Sequence, residues 1–313
     1  MTTDLHHSSA ASDAWSNWVL HDRCGGDPEY ERVARGMMER IRDRVLDGAR
    51  LEPGMTIADV GTGDGMIAFG AIARVGASLR AILTDISAPL LQCARQRARE
   101  LDVDRQCIFL QGGADKLQGV ADGSIDVAMT RAVLAYLSDK AAAFCELHRV
   151  LKPDGRISIA EPIFRDQALE TVALTTAFGA SPLPEHASAS VFLRLMQRWK
   201  AAQFPSTEEE IRLSPIANFT ERDLVKLAQH AGFVDVHLEL HIDVRRSSIT
   251  KWNVLLDTSP HPLAPTLRTI LQSQFSPQER ELFERVMRPL VESGKTSETD
   301  VVAYLTAVKK AES

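Results

Sequence analysis

An acid followed by three alternating glycines, Asp59-x-Gly61-x-Gly63-x-Gly65, is the spacing in this chain best suited to chemistry. Ahead of the glycines, Ile57–Val60 is a short apolar run with β-branched residues, the pattern of a buried parallel strand. Behind them, Met66, Ile67, Phe69, Gly70, Ile72 and Ala73 follow a helical pattern. Glycines in such a turn take positive φ and let a ligand lie against the main chain. The ligand then faces the free N–H groups at the helix N-terminus. A dinucleotide turn, G-x-G-x-x-G, needs its third glycine at position 66, where this chain has Met66.

Other polar residues close later strands. Arg80–Asp85 is a second buried strand, and Asp85 lies about 20 residues beyond the glycines, where an α/β sheet brings it beside the first strand end. A carboxylate there can accept both ribose hydroxyls of an adenosine group, and Ile86 can cover one adenine face. Cys107–Gln111 is the third strand; after it come Ala114, whose backbone N–H can reach such a ring, and Asp115. Ser124–Thr130 is the fourth. Ligands bind outside the carboxyl ends of such strands, so Thr130, Arg131 and Tyr136 should border the reacting groups. Arg131 could hold a carboxylate bidentately or close a salt bridge at the sheet edge. Arg156–Pro162 is the fifth strand, and Glu161 ends it over the same cleft. That carboxylate could orient an amine, accept a proton or stabilise a cation, or it could pair with Arg165. His21, in the turn His21–Asp27, is a second candidate base.

Together, the acid-x-Gly-x-Gly-x-Gly order, the Asp85 strand end and the turn Arg149-Val-Leu-Lys-Pro-Asp-Gly155 resemble the class I S-adenosylmethionine (SAM) methyltransferases. The resemblance covers residues 50–162 and points to the broad ubiquinone/menaquinone-biosynthesis C-methyltransferase-like group. It implies an α/β fold: a doubly wound, seven-stranded, mostly parallel Rossmann-like sheet. It also implies SAM as cofactor, with no metal. Asp59, Gly61, Thr62, Gly63, Asp64 and Gly65 would hold the methionine portion, Asp85 the ribose, and Ile86, Ala114 and Asp115 the adenine. Thr130 would border the cofactor, while Arg131, Tyr136 and Glu161 would face the acceptor. Glu161 or His21 would serve as base for an oxygen or nitrogen acid; a thioether acceptor needs none. One departure concerns the adenine acid: relatives often carry Gly-Asp-Ala after the third strand, and this chain has Gly113 in the acid's place. Across its whole length the chain also faintly resembles bacterial methionine S-methyltransferases, through Trp15 and Trp18, the turn Arg23-Cys-Gly-Gly-Asp27, and Glu161-Pro-Ile163.

The elements that must position these residues divide the chain as follows. Residues 1–48 form an N-terminal helical lid, with Asp27 as N-cap and Pro28 at N1 of its main helix; Trp15, Trp18, Arg23 and Tyr30 are its lid candidates. Residues 49–162 are the SAM-binding core. Residues 163–218 are a helical cap insertion, 219–248 continue the core, 249–298 are a second helical insertion, and 299–313 carry the last strand. Thr220 to Asp223 and Ser276 to Glu279 read as capping boxes. His261-Pro-Leu-Ala-Pro265 reads as a rigid loop. Variable segments on a rigid sheet are where selectivity is built, so the insertions and the lid should roof the site. The insertions also offer surface for a homodimer.

Composition narrows the partners. The 313 residues are 44% hydrophobic and 25% charged, ordinary for a globular protein. A net charge of −6 gives no electrostatic case for nucleic acid, and no apolar run approaches the ~20 residues that span a bilayer. Cys24, Cys93, Cys107 and Cys145 have no ligand-like spacing; Cys93 and Cys107 read as buried structural thiols. The expectation is a cytoplasmic enzyme acting on a small molecule, methionine S-methylation or O-, N- or C-methylation of a specialised metabolite. Two other classes stay open: an NAD-linked oxidoreductase, which would share Asp85, and a non-catalytic SAM-binding protein.

Overall fold

The computed structural model describes residues 13–179 and 188–311. The first twelve residues of the expected N-terminal lid lie outside the described residues. A short turn of helix, α1 (Ala14–Asn17), opens the chain and is closed by a reciprocal cap between Asp13 and Ser16. A wider turn over Trp18–Asp22 follows, and then α2 (Pro28–Ala49), capped by Asp27 as its sequence requires.

Strands and helices then alternate: β1 (Thr56–Val60), α3 (Met66–Val75), β2 (Arg80–Asp85), α4 (Ala88–Glu100), β3 (Cys107–Gln111), β4 (Ile125–Arg131), α5 (Lys140–Val150) and β5 (Leu151–Pro162). The fifth strand begins five residues earlier than its apolar pattern indicates, because the Lys152–Gly155 turn, with Asp154 at φ +62°, is carried within it as an irregularity against β4. Helices α6 (Arg165–Gly179), α7 (Ser188–Gln203) and α8 (Glu208–Leu213) form the first insertion. Next come α9 (Glu221–His230) and β6 (Phe233–Arg246). Helices α10 (Trp252–Asp257), α11 (Leu267–Gln274) and α12 (Pro277–Glu292) form the second insertion, and β7 (Ser297–Lys309) closes the chain. Both capping boxes read from the sequence are formed, at Thr220 and Ser276.

Among the described residues the strands make one seven-stranded sheet in the order β3-β2-β1-β4-β5-β7-β6. Strands β1 to β5 run parallel, and β7 lies antiparallel between β5 and β6. This is the doubly wound α/β sheet that the sequence implies. Its order reverses between β1 and β4, which opens a crevice at their carboxyl ends. Alternation along each strand divides the core into two faces. Ala58 and Val60 pack with Phe144, Leu147, Leu224 and Ala228 of α5 and α9. Ile57 faces the other way, with Leu46 of α2, Ile72 of α3 and Ala94 of α4. The two insertions share a third core in which Phe283 is surrounded by Trp199, Trp252, Phe275 and Phe192. Segments distant in sequence therefore share one hydrophobic core.

Candidate active site

The turn after β1 is shaped by its glycines. Gly61, Gly63 and Gly65 have φ of +68°, +56° and +82°, values that L side chains rarely adopt. Packing fixes Gly61 further, since a Cβ there would stand 2.2 Å from Val133 Cγ2. At Gly63 a Cβ would meet nothing within 4 Å; its main chain opens directly on a cavity of about 310 Å³ at the carboxyl ends of the strands.

Two acids hold this turn. Asp59 is buried beneath it, and its Oδ2 accepts from Thr62 Oγ1 at 2.7 Å and Ala68 N at 3.0 Å. Burial pushes its carboxyl up to about 6. Asp59 therefore builds the turn from below and does not line the cavity. Asp85 does line it. Its Oδ2 accepts from Gly63 N at 2.8 Å and its Oδ1 from Ser87 N at 2.9 Å, locking the second strand end to the glycine turn. Burial raises the pKa of Asp85, against the pull of those backbone bonds. Each oxygen keeps acceptor capacity for a ligand hydroxyl.

Thr62, Asp64, Ile86, Ala114 and Asp115 join Gly61 and Gly63 along this wall. Ile86 is 60% exposed there, a large apolar side chain presented as a flat surface. Asp64 is held by Arg97 at 2.9 Å. Asp115 folds back over Gly113, where a Cβ would stand 2.4 Å from its Oδ1. A Cβ at position 113 would have to displace only the end of that flexible side chain. Gly65 caps α3 against the Phe69 ring and does not line the cavity.

The opposite wall comes from elsewhere in the chain. Trp15, Trp18, Val19 and Arg23 descend from the N-terminal segment, Arg131, Val133 and Tyr136 from the end of β4, and Pro262 from the second insertion. Trp15 meets the Tyr136 ring edge-on at 5.2 Å. Trp18 Nε1 donates to Ser259 O at 3.1 Å, and Ser259 N donates to Asp22 O at 3.0 Å. These bonds tie the N-terminal segment to the loop after α10. The Arg131 guanidinium is destabilised by desolvation and by the charge of the nearby Arg23, and Arg23 Nε is buried without a partner among the described residues. Burial and the nearby Glu161 raise the pKa of the Tyr136 phenol, so Tyr136 stays protonated and can donate.

Further expectations need correction. Glu161 is fully buried and turned away from the cavity; its carboxylate accepts from Val133 N and Ala135 N, each at 3.0 Å. It shapes the loop after β4, and Arg165, its suggested partner, donates instead to Ala217 O. Thr130 is buried outside the cavity lining, because strand alternation sends its neighbour Arg131 inward. His21 is exposed on the wide turn and does not line the cavity. Tyr30, a lid candidate, is also absent from the lining and lies within the electrostatic reach of Glu298, Asp300 and Arg245. Cys93 and Cys107 are only half-buried, and Cys24 is the buried thiol. The sequence reading missed Val19, Val133 and Pro262. The glycine collision at Gly61 marks Val133, but nothing local marks the other two.

A doubly wound sheet of this order, with a glycine turn and a strand-end acid facing one crevice, defines a Rossmann-like methyltransferase fold. A family model described as methyltransferase domain (Methyltransf_31) matches residues 51–212, and the chain belongs to that family. Nocamycin O-methyltransferase of Saccharothrix syringae is 30% identical over 46% of this chain and 50% of its own length. A ubiquinone/menaquinone biosynthesis C-methyltransferase of Haemophilus ducreyi is 28% identical over 62% and 70%. The chain thus spans about half the length of the first of these relatives. The YcgJ protein of Bacillus subtilis superposes with a TM-score of 0.53 at 16% identity, covering 87% of this chain and 99% of that one. That superposition carries the fold alone. Among the described residues no helix is long and apolar enough to cross a membrane.

Proposed function

We propose that this protein is a SAM-dependent methyltransferase acting on a small metabolite that bears a carboxylate. The observation that carries the reading is a single cavity with two unlike ends, a backbone cradle at Gly61–Asp64 beside Asp85 and Ile86, and a pair of guanidiniums among aromatic rings. The residues at the first end fit the cofactor. Asp85 would accept the ribose hydroxyls, Ile86 would cover an adenine face, and Ala114 with Asp115 would reach the ring edge. The glycine turn, with Thr62 and Asp64, would take the methionine portion. When bound, SAM supplies an electrophilic methyl group for in-line displacement. The protein's own work is proximity, alignment and exclusion of water. Trp15, Trp18 and Pro262 close the far side, and Arg131 with Arg23 would orient an acceptor carboxylate.

Neither His21 nor Glu161 reaches the cavity, which favours an acceptor atom that is nucleophilic without losing a proton. A thioether amino acid such as methionine meets that condition, its carboxylate on Arg131. Methylation at O, N or C of another metabolite is the alternative. In this reading residues 1–48 and the two insertions form the roof over a SAM-binding core. Methyl-labelled SAM incubated with the protein and a cell extract should place label in the small-molecule pool, with S-methylmethionine the first product to check. Label confined to RNA or protein would overturn the small-molecule reading. Tight binding of S-adenosylhomocysteine (SAH) with no transfer in any extract would favour a non-catalytic role.

A further inference from the structure

Among the described residues strand β6 ends the sheet, and its unpaired edge carries a pattern unrelated to the cavity. Its even-numbered residues are apolar from Val234 to Val244, and its odd-numbered ones are polar from Asp235 to Arg245. Helix α9 covers the first half of the apolar face. Beyond it Leu240, Ile242 and Val244 are 39%, 57% and 70% exposed. Long edges that expose apolar side chains are normally blunted by bulges, prolines or charges. Here the one bulge lies at the start of the strand, between Val234 and His237, and the half beyond it pairs with β7 in unbroken register.

We propose that two copies of this chain pair their β6 edges antiparallel about a twofold axis at Ile242, joining two sheets into one. An axis perpendicular to the sheet keeps the apolar faces on the same side. It sets Ile242 opposite itself and Leu240 opposite Val244 of the partner copy, so the exposed patch covers itself. On the polar face it sets Glu239 opposite Arg245 and His241 opposite Asp243, each an unlike pair. A shift of one residue either way reverses this. Centring on His241 opposes Glu239 to Asp243, and centring on Asp243 opposes that carboxylate to itself. Centring on Leu240 also matches charges, but its pairing runs into the Asp235 bulge sooner. Within one chain Glu239 already meets Arg44, His237 and His241, and Arg245 meets Glu298 and Asp300. The polar face is therefore an ordered network that meets its own complement across the axis.

Light scattering on the purified full chain tests this. At ~10 µM the mass should be about twice the 34.5 kDa of one chain. Ile242→Lys should give the single-chain mass with an unchanged circular-dichroism spectrum. In a Cys145→Ser background, Ile242→Cys should form a disulfide-linked dimer on mild oxidation, and Leu240→Cys should do so much less. A wild-type monomer would overturn the proposal. So would a dimer that Ile242→Lys does not split, or a dimer cross-linked only through position 240.

Discussion

The wall of the cavity that carries Gly61, Gly63 and Asp85 is built from strand ends joined by backbone hydrogen bonds. The facing wall is built from side chains of the N-terminal segment, the loop after β4 and the second insertion. On the first wall the main chain sets position, so small displacements are excluded by sterics and by bonds that cannot be remade. On the second, rings and guanidiniums are delivered by segments more than two hundred residues apart, as in the bond from Trp18 to Ser259. The first wall suits a ligand that does not change, and the second suits one that differs among relatives. This contrast can be broken at several points.

The largest effect is expected at Gly61. Its φ of +68° and the 2.2 Å approach of a Cβ to Val133 leave no room for Gly61→Val, and calorimetry should show no SAH binding by that variant. Next is Glu161→Ala, which strips two buried N–H groups of their acceptor. Each such loss costs about 1–3 kcal/mol, so denaturant melts should show destabilisation on the order of 2–5 kcal/mol. Glu161→Gln should recover part of it, and a base that had been removed would instead show as a changed pH–rate profile. Asp85→Ala should weaken SAH binding about 10–100-fold, or about 1.4–2.8 kcal/mol.

Arg131→Met separates the walls most cleanly. It should raise the acceptor KM about 10-fold or more, the loss of a charged hydrogen-bond partner, while leaving SAH affinity within a few-fold. An equal loss of SAH affinity would move Arg131 to the cofactor wall. The effect that shows only through pH is at Asp59, whose carboxyl sits at about 6 in the folded protein against about 3.9 unfolded. Because the folded pKa is raised, the native state binds the extra proton, and the stability this gives is lost as pH rises from about 4 through 6. Asp59→Asn should lose that pH dependence, seen as a difference of about 1–3 kcal/mol between the two pH profiles.

The first wall was legible in the sequence because glycine spacing and strand-end acids report on backbone geometry directly. The order of strands, the capping boxes and the place of Asp85 all followed from local pattern. Side-chain direction at strand ends was not legible in the same way. Thr130 and Arg131 both end β4, but alternation allows only one of them to face the cavity, and it is Arg131. Glu161 ends β5 where expected, yet its carboxylate serves the amides of the neighbouring loop. Pro262 lies in a stretch already recognisable as rigid, but its contact with the site depends on its neighbour His261, which bonds Gln203 O at 2.8 Å and packs against Phe164 and Phe204. No local pattern encodes such a contact.

Titration of the wild-type protein with SAH and, separately, with NADH tests the central claim most directly. Binding of SAH at one site per chain, with no heat from NADH, is the predicted result. Binding of NADH in place of SAH would mean that the glycine turn serves a dinucleotide, and that the reading of both walls is wrong.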